Sequence, residues 1–337
     1  MPVLHEASIK RNRRRIVALA ILSVVNYWLA AIIFVFCVVV GSIVALIAEG
    51  LIEGLDFDIL FAFIGALPEI AEFIVFDVFT SPITGIVALV FVAVGTVFAL
   101  ISLVFRLGRV ERRVLAETGA QIISRGTDVQ LENLVDGLAI SAGVPPPRLA
   151  MVEDPAPNAF AVGRKPEQAI IGVTRGLLDE LSRDETEAVM SYEISRIASL
   201  DIALSTWAVA VTGHTIELWE NTNRLSVTLG LWVPKMLATR LRAFTLRGQA
   251  AQQDMLAVRF TRNPRALLDA LVKLQQDPQV IGRVSSGTAP LWIETPVVRG
   301  SRLDERVAAI RELLRDPPPA IAPAAGERAV APRPARR

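Results

Sequence analysis

Two uncharged runs limit what this chain can fold into. No Asp, Glu, Lys or Arg occurs from Ile16 to Ala48 or from Val78 to Phe105. About 20 apolar residues cross a bilayer, so each run is long enough for a membrane-spanning helix, with tilt or overhang taking up the excess. The first run also exceeds the roughly 7–15 apolar residues of a signal peptide, and no Ala-x-Ala-like cleavage site follows it, so it reads as an uncleaved anchor.

Charge gives the orientation. Lys10, Arg11, Arg13, Arg14 and Arg15 precede the first run, and Arg106, Arg109, Arg112 and Arg113 follow the second. Only acids lie between the runs: Glu49, Glu53, Asp56, Asp58, Glu69, Glu72 and Asp77. The positive-inside rule then places the N-terminus and everything after Arg106 in the cytoplasm. Ala- and Arg-rich composition points to a bacterium, hence to a multi-pass protein of its cytoplasmic (inner) membrane. The lipid bilayer is the one partner composition implies. The net charge of +1 includes no basic domain of the kind that binds nucleic acid. Cys37 is the single cysteine, which excludes an internal disulfide.

Beyond the second run, local signals predict a small sheet among helices. Residues 106–127 continue the span as a charged helix. Asp128 caps a helix with Leu131, Leu134, Val135, Leu138 and Ala139 at helical spacing, stopped by Gly143 and Pro145–Pro147. Leu149–Val152, Asn158–Val162 and Ala169–Val173 read as short strands separated by turns. A short helix follows at 174–181, then one capped by Ser182 or Asp184, with Glu185 and Glu187 in its first turn. The charge-free stretches 202–216 and 225–234 are too short to span reliably and read as core or membrane-interface helix. Further helices are expected near 250–259, 265–274 and 303–314, and the Pro/Ala/Arg-rich tail 317–337 is expected to be disordered.

The chemistry concentrates in the helix after Ser182. In His-Glu-x-x-His, two histidines one turn apart hold zinc and the glutamate between them is a general base. Here Glu193 stands in the glutamate position, while Tyr192 and Arg196 stand where the histidines would be. A phenol ionises near pH 10, and a guanidinium offers donors only and repels a divalent cation. His5 and His214 are the only histidines, and neither falls at a ligand position.

Several segments in order resemble the HtpX group of membrane zinc metallopeptidases: 157–164 (PNAFAVGR), 174–181 (TRGLLDEL), the Glu193 helix ending in Asp201, Asp254, 257–264, 291–293 and 303–310. The resemblance implies an α+β fold: an N-terminal transmembrane helical hairpin, then a mainly helical gluzincin-like domain with a small β-sheet. The expected parts are a basic cytoplasmic N-terminus (1–15), two spans (16–105) joined by an acidic extracytoplasmic connection (49–77), a helical linker (106–127), the peptidase domain (128–316) and the tail (317–337). It also implies a third zinc ligand, a glutamate four residues before the family aspartate. Counting back from Asp254 gives Ala250. A family histidine before the last helix is likewise replaced, by the segment 299–302.

With Tyr192, Arg196 and Ala250 at the ligand positions, the reading is a degenerate site with no bound metal or cofactor, although the family uses zinc. Zinc lowers the pKa of its water to about 7 and polarises the scissile carbonyl; Glu193 alone does neither. Arg196 is expected to place its charge near the former zinc position, balancing Glu193 and Asp254; a solvent-exposed Arg196 is the plainer alternative. Asp201 and Asp254 are expected to be structural carboxylates. The strand Asn158, Ala159, Phe160, Ala161 matches the sheet edge that receives substrate in such folds, and such an edge binds extended peptide without a metal. The function expected is therefore a pseudopeptidase that binds a peptide or membrane-protein client in quality control, or regulates an active homologue. Two alternatives are an active metalloendopeptidase with a non-standard site built from Glu193, Asp201, Asp254 and His214, and a transport component, for which Asn26 is the one strongly polar residue within the runs.

Overall fold

The computed structural model describes residues 2–53, 65–66, 68–69, 82–221, 225–246, 249–279, 281–282, 285–294 and 301–315. Most of the acidic connection beyond residue 53, the turn at 299–300 and the tail lie outside the described residues, as do the side chains of Cys37 and His214.

The chain begins with α1 (Pro2–Glu53) and α2 (Pro82–Thr118). The first uncharged run thus lies within α1, and the second, from Pro82 onward, lies within α2. Among the described residues, one segment is long and apolar enough to cross a membrane: Leu89–Thr118 of α2, with a hydropathy of 2.4. Its surface is apolar and outward-facing at Leu89, Phe91, Val94, Phe98 and Val104. The two helices meet where the Trp28 ring lies on Gly95: a Cβ there would stand 2.5 Å from the ring. Trp28 also donates to Thr96 Oγ1 at 3.3 Å.

Residues 2–15 and the first uncharged run belong to one helix. α1 is continuous, with Ser8 and Asn12 buried and Asn12 Nδ2 donating to the Ser199 carbonyl at 3.0 Å. Of the helix expected over 106–127, residues 106–118 continue α2 and packing holds them in place. Leu103, Leu107, Val110 and Val114 pack on the sheet, and Arg113 pairs with Glu117 and Glu217.

The sheet comprises β1 (Gln121–Ile122), β2 (Arg148–Val152), β3 (Ala159–Val162) and β4 (Ile170–Thr174), in the order β1-β2-β4-β3. β2 and β4 are parallel, and the outer pairs are antiparallel. Both faces are buried. Leu149, Ala159, Ala161, Ile171 and Val173 face one core cluster, while Ala150, Val152, Phe160, Val162 and Ile170 face the other. Burial on both sides explains why these strands read as unbroken apolar runs rather than alternating ones.

The remaining helices are α3 (Val129–Ala142), α4 (Arg175–Glu180), α5 (Arg183–Ala198), α6 (Asp201–Glu220), α7 (Leu225–Thr245), α8 (Gln249–Thr261), α9 (Pro264–Gln276) and α10 (Ser301–Arg315). Asp128 caps α3 and Gly143, at φ 68°, ends it. α5 lies at the centre, packed against α3, α8 and α9, and is buried from Ala188 to Ala198. α7 runs through Pro234 beyond the charge-free stretch 225–234, held against α6 and α1.

Candidate functional site

Ser182 and Glu185 form a capping box that fixes the start of α5. Ser191 Oγ donates to the Ala257 carbonyl and Ser195 Oγ to that of Gln253, stitching α5 to α8. At the other end the chain turns at Leu200, whose φ of 60° is left-handed. Here α5 and α6 bend by 77°. The elbow swings Asp201, first residue of α6, back toward the inner face of α5.

Arg196 stands at the centre of what results. Its Nη1 donates to Glu193 Oε2 at 2.9 Å and to the Leu291 carbonyl at 2.7 Å. Its Nε donates to Asp201 Oδ2 at 3.0 Å and its Nη2 to Ser205 Oγ at 3.3 Å. A second arginine, Arg306 of α10, forks onto Asp254 at 2.9 and 2.7 Å and donates to the Ile293 carbonyl at 3.1 Å. The Tyr192 ring has the Arg306 guanidinium 4.4 Å and that of Arg196 6.0 Å from its centroid. Glu193 is fully buried, and Tyr192, Arg196, Asp201, Asp254 and Arg306 are no more than 6% exposed.

Glu193, Tyr192, Arg196, Asp201 and Asp254 are therefore brought together. The pairing differs from expectation in one respect: Asp254 is held by Arg306, and Asp201 is the second carboxylate on Arg196. Ala250 lies half-buried one turn before Asp254 and contributes no donor atom. Sequence reasoning missed Arg306, Ser205 and the two carbonyls. Arg306 had a legible signal, since it sits on the same helix face as the buried Leu303, Val307 and Ile310.

Zinc does not fit this donor set. Burial, only partly opposed by Arg306 and Arg196, pushes the Tyr192 phenol up to about 12. Burial alone would lower the Arg196 pKa, but Glu193 and Asp201 outweigh it and the net shift is upward, so the guanidinium keeps its charge. Among the described residues no three His, Cys, Asp or Glu side chains converge as a metal site.

The strand edge expected to receive a peptide is filled by the chain itself. β3 is an edge strand, but Phe160 bridges Trp292, Ile293 N donates to the Ala159 carbonyl at 2.9 Å, and Asn158 Nδ2 donates to the Glu294 carbonyl at 3.0 Å. The Phe160 and Trp292 rings meet at a tilt of 53°, with centroids 4.8 Å apart. Because Arg196 and Arg306 grip the carbonyls of Leu291 and Ile293, the replacement arginine and the strap over the edge form one structure. Asn158, Ala159, Phe160 and Ala161 are all buried.

Three carboxylates face the Arg196 and Arg306 guanidinium groups, and Arg15 and Arg11 act on Asp201 through space. Burial raises the pKa of both Glu193 and Asp201, with Arg196 opposing incompletely. Glu193 Oε1 and Asp201 Oδ1 have no hydrogen-bond partner. A carboxyl with a raised folded pKa binds its proton more tightly when folded. Its stabilisation is full below the unfolded value of about 4.3 and is lost as pH rises through the folded value. Unfolding temperature is therefore expected to rise as pH is lowered from neutral toward the unfolded value, with Glu193→Gln flattening that slope. A wild-type slope unchanged by the substitution would refute the assignment.

Residues 126–315, more than half of the chain, match peptidase family M48. A "Protease HtpX homolog" of Dictyoglomus turgidum is 35% identical over 202 residues, covering 55% of this chain and 66% of that relative, just under two thirds of its length. One of Tropheryma whipplei is 34% identical over 206 residues, covering 56% and 71%. The crystal structure of S. mikatae Ste24p gives a TM-score of 0.35 at 16% identity, over 82% of this chain and 67% of that one, too low to bear on the fold. With the family match spanning the sheet, the Glu193 helix and the strap together, this chain is an HtpX-like member of peptidase family M48.

Proposed function

We propose that the chain is a catalytically inactive M48 protein, a pseudopeptidase, in the bacterial cytoplasmic membrane with its M48 domain on the cytoplasmic side. The observation that carries this is the buried Arg196 guanidinium: it stands at a zinc-ligand position and is bonded to the very glutamate that would serve as base. A fixed cation there replaces the metal's charge without its Lewis acidity or its activated water. The alternative site built from Glu193, Asp201, Asp254 and His214 finds no support, since arginines bond the first three. The exposed apolar band of α2 supports the membrane location, and Arg106, Arg109, Arg112 and Arg113 at its end support the orientation.

The filled β3 edge favours a role through a protein partner, such as an active relative or another membrane protein, over capture of an extended client at that edge. The activity test is direct. Purified protein supplied with equimolar zinc is expected to leave an unfolded protein substrate uncut, and Glu193→Gln to behave identically. Cleavage that Glu193→Gln abolishes would overturn the proposal.

A further inference from the structure

A groove of about 270 Å³ lies between α1, α6 and α7, away from the Glu193 site. Leu22, Val211, Leu237, Ala238, Leu241 and Phe244 make it apolar. It opens toward apolar surface. On α1, Ile21 and Val25 are exposed beside it. On α7, Trp232, Met236, Arg240 and Phe244 follow one another at four-residue spacing, and all four are exposed. That is one face of a helix, and an apolar face with a cation suits the membrane–water boundary.

Two features ask for a polar ligand end. Asn26 lines the groove, and its buried Oδ1 has no hydrogen-bond partner. Two cations stand near it: among the described residues no carboxylate forms an ion pair with Arg240, on the rim, or with Arg242, which reaches Thr212. Arg242 donates to Thr212 Oγ1 and to the carbonyls of Ser286 and Gly287, all neutral, and Glu220 acts on it only through space.

We propose that this groove binds an anionic phospholipid, with an acyl chain along Leu22, Val211, Leu237 and Phe244 and the phosphate at Arg240. The proposal rests on the membrane location, which has its own test: the protein should stay with membranes through carbonate extraction. The groove is tested by native mass spectrometry of detergent-purified protein with phosphatidylglycerol, phosphatidylcholine of the same acyl chains, and glycerol 3-phosphate. Phosphatidylglycerol is expected to be preferred, with glycerol 3-phosphate not retained. Arg240→Gln, an exposed change, should cut that preference roughly fivefold, the worth of one cation at an anionic headgroup. Leu237→Trp should weaken both lipids by filling the groove. Equal retention of the two lipids by wild type, an unaltered preference in Arg240→Gln, or glycerol 3-phosphate bound as tightly as the lipid would each overturn the proposal.

Discussion

Arg196→Ala is expected to lower the stability of the M48 domain by about 3–5 kcal/mol, the usual cost of removing one partner from a buried charge pair. Thermal unfolding should fall by on the order of 10 °C for a domain of this size. The loss is large because the guanidinium serves four acceptors at once: Glu193, Asp201, Ser205 and the Leu291 carbonyl. Without it, Glu193 and Asp201 face each other's charge in a dry interior. Adding Glu193→Gln should recover part of the loss, a coupling that a double-mutant cycle measures. A shift below about 2 °C in the single variant would mean that Arg196 is an incidental substitution rather than the replacement for a metal.

Trp292→Ala is expected to cost about 3–5 kcal/mol as well, through loss of a buried indole. Its second effect is more specific. Trp292 keeps residues 291–294 on β3 by packing its ring against Phe160, so its removal should release the Ile293 N–H from the Ala159 carbonyl. Hydrogen exchange should find segment 289–294 protected in wild type and fast-exchanging in the variant, while β2 and β4 remain protected. Fast exchange at Ile293 in wild type would mean that the edge is open after all and would restore client pairing at β3 as the favoured role.

Much of this was legible where the determinant is local. Ser182 with Glu185 three residues on is a capping signature, so the start of α5 and the positions of Tyr192, Glu193 and Arg196 follow from sequence. The i,i+3 spacing makes the Glu193–Arg196 pair legible too. The swap of Asp201 for Asp254 was not, because it depends on Leu200 adopting a left-handed φ of 60° and turning α6 by 77°. β1 is two residues long, which leaves no pattern to detect. The length of α7 was not legible either: a proline costs about 3 kcal/mol inside a helix, yet α7 continues through Pro234 while packed on α6 and α1. The strap over β3 was illegible because it joins Trp292 to Phe160 across 132 positions, a distance at which local pattern carries no information.

The central claim is that fixed charge has replaced the metal. It is tested by measuring zinc in the detergent-purified protein beside a variant carrying Tyr192→His, Arg196→His and Ala250→Glu. The account predicts no stoichiometric zinc in the native protein and about one zinc per chain in the variant, whose donor set is that of a gluzincin site. One zinc per native chain, lost on Glu193→Ala or Asp254→Ala, would contradict it.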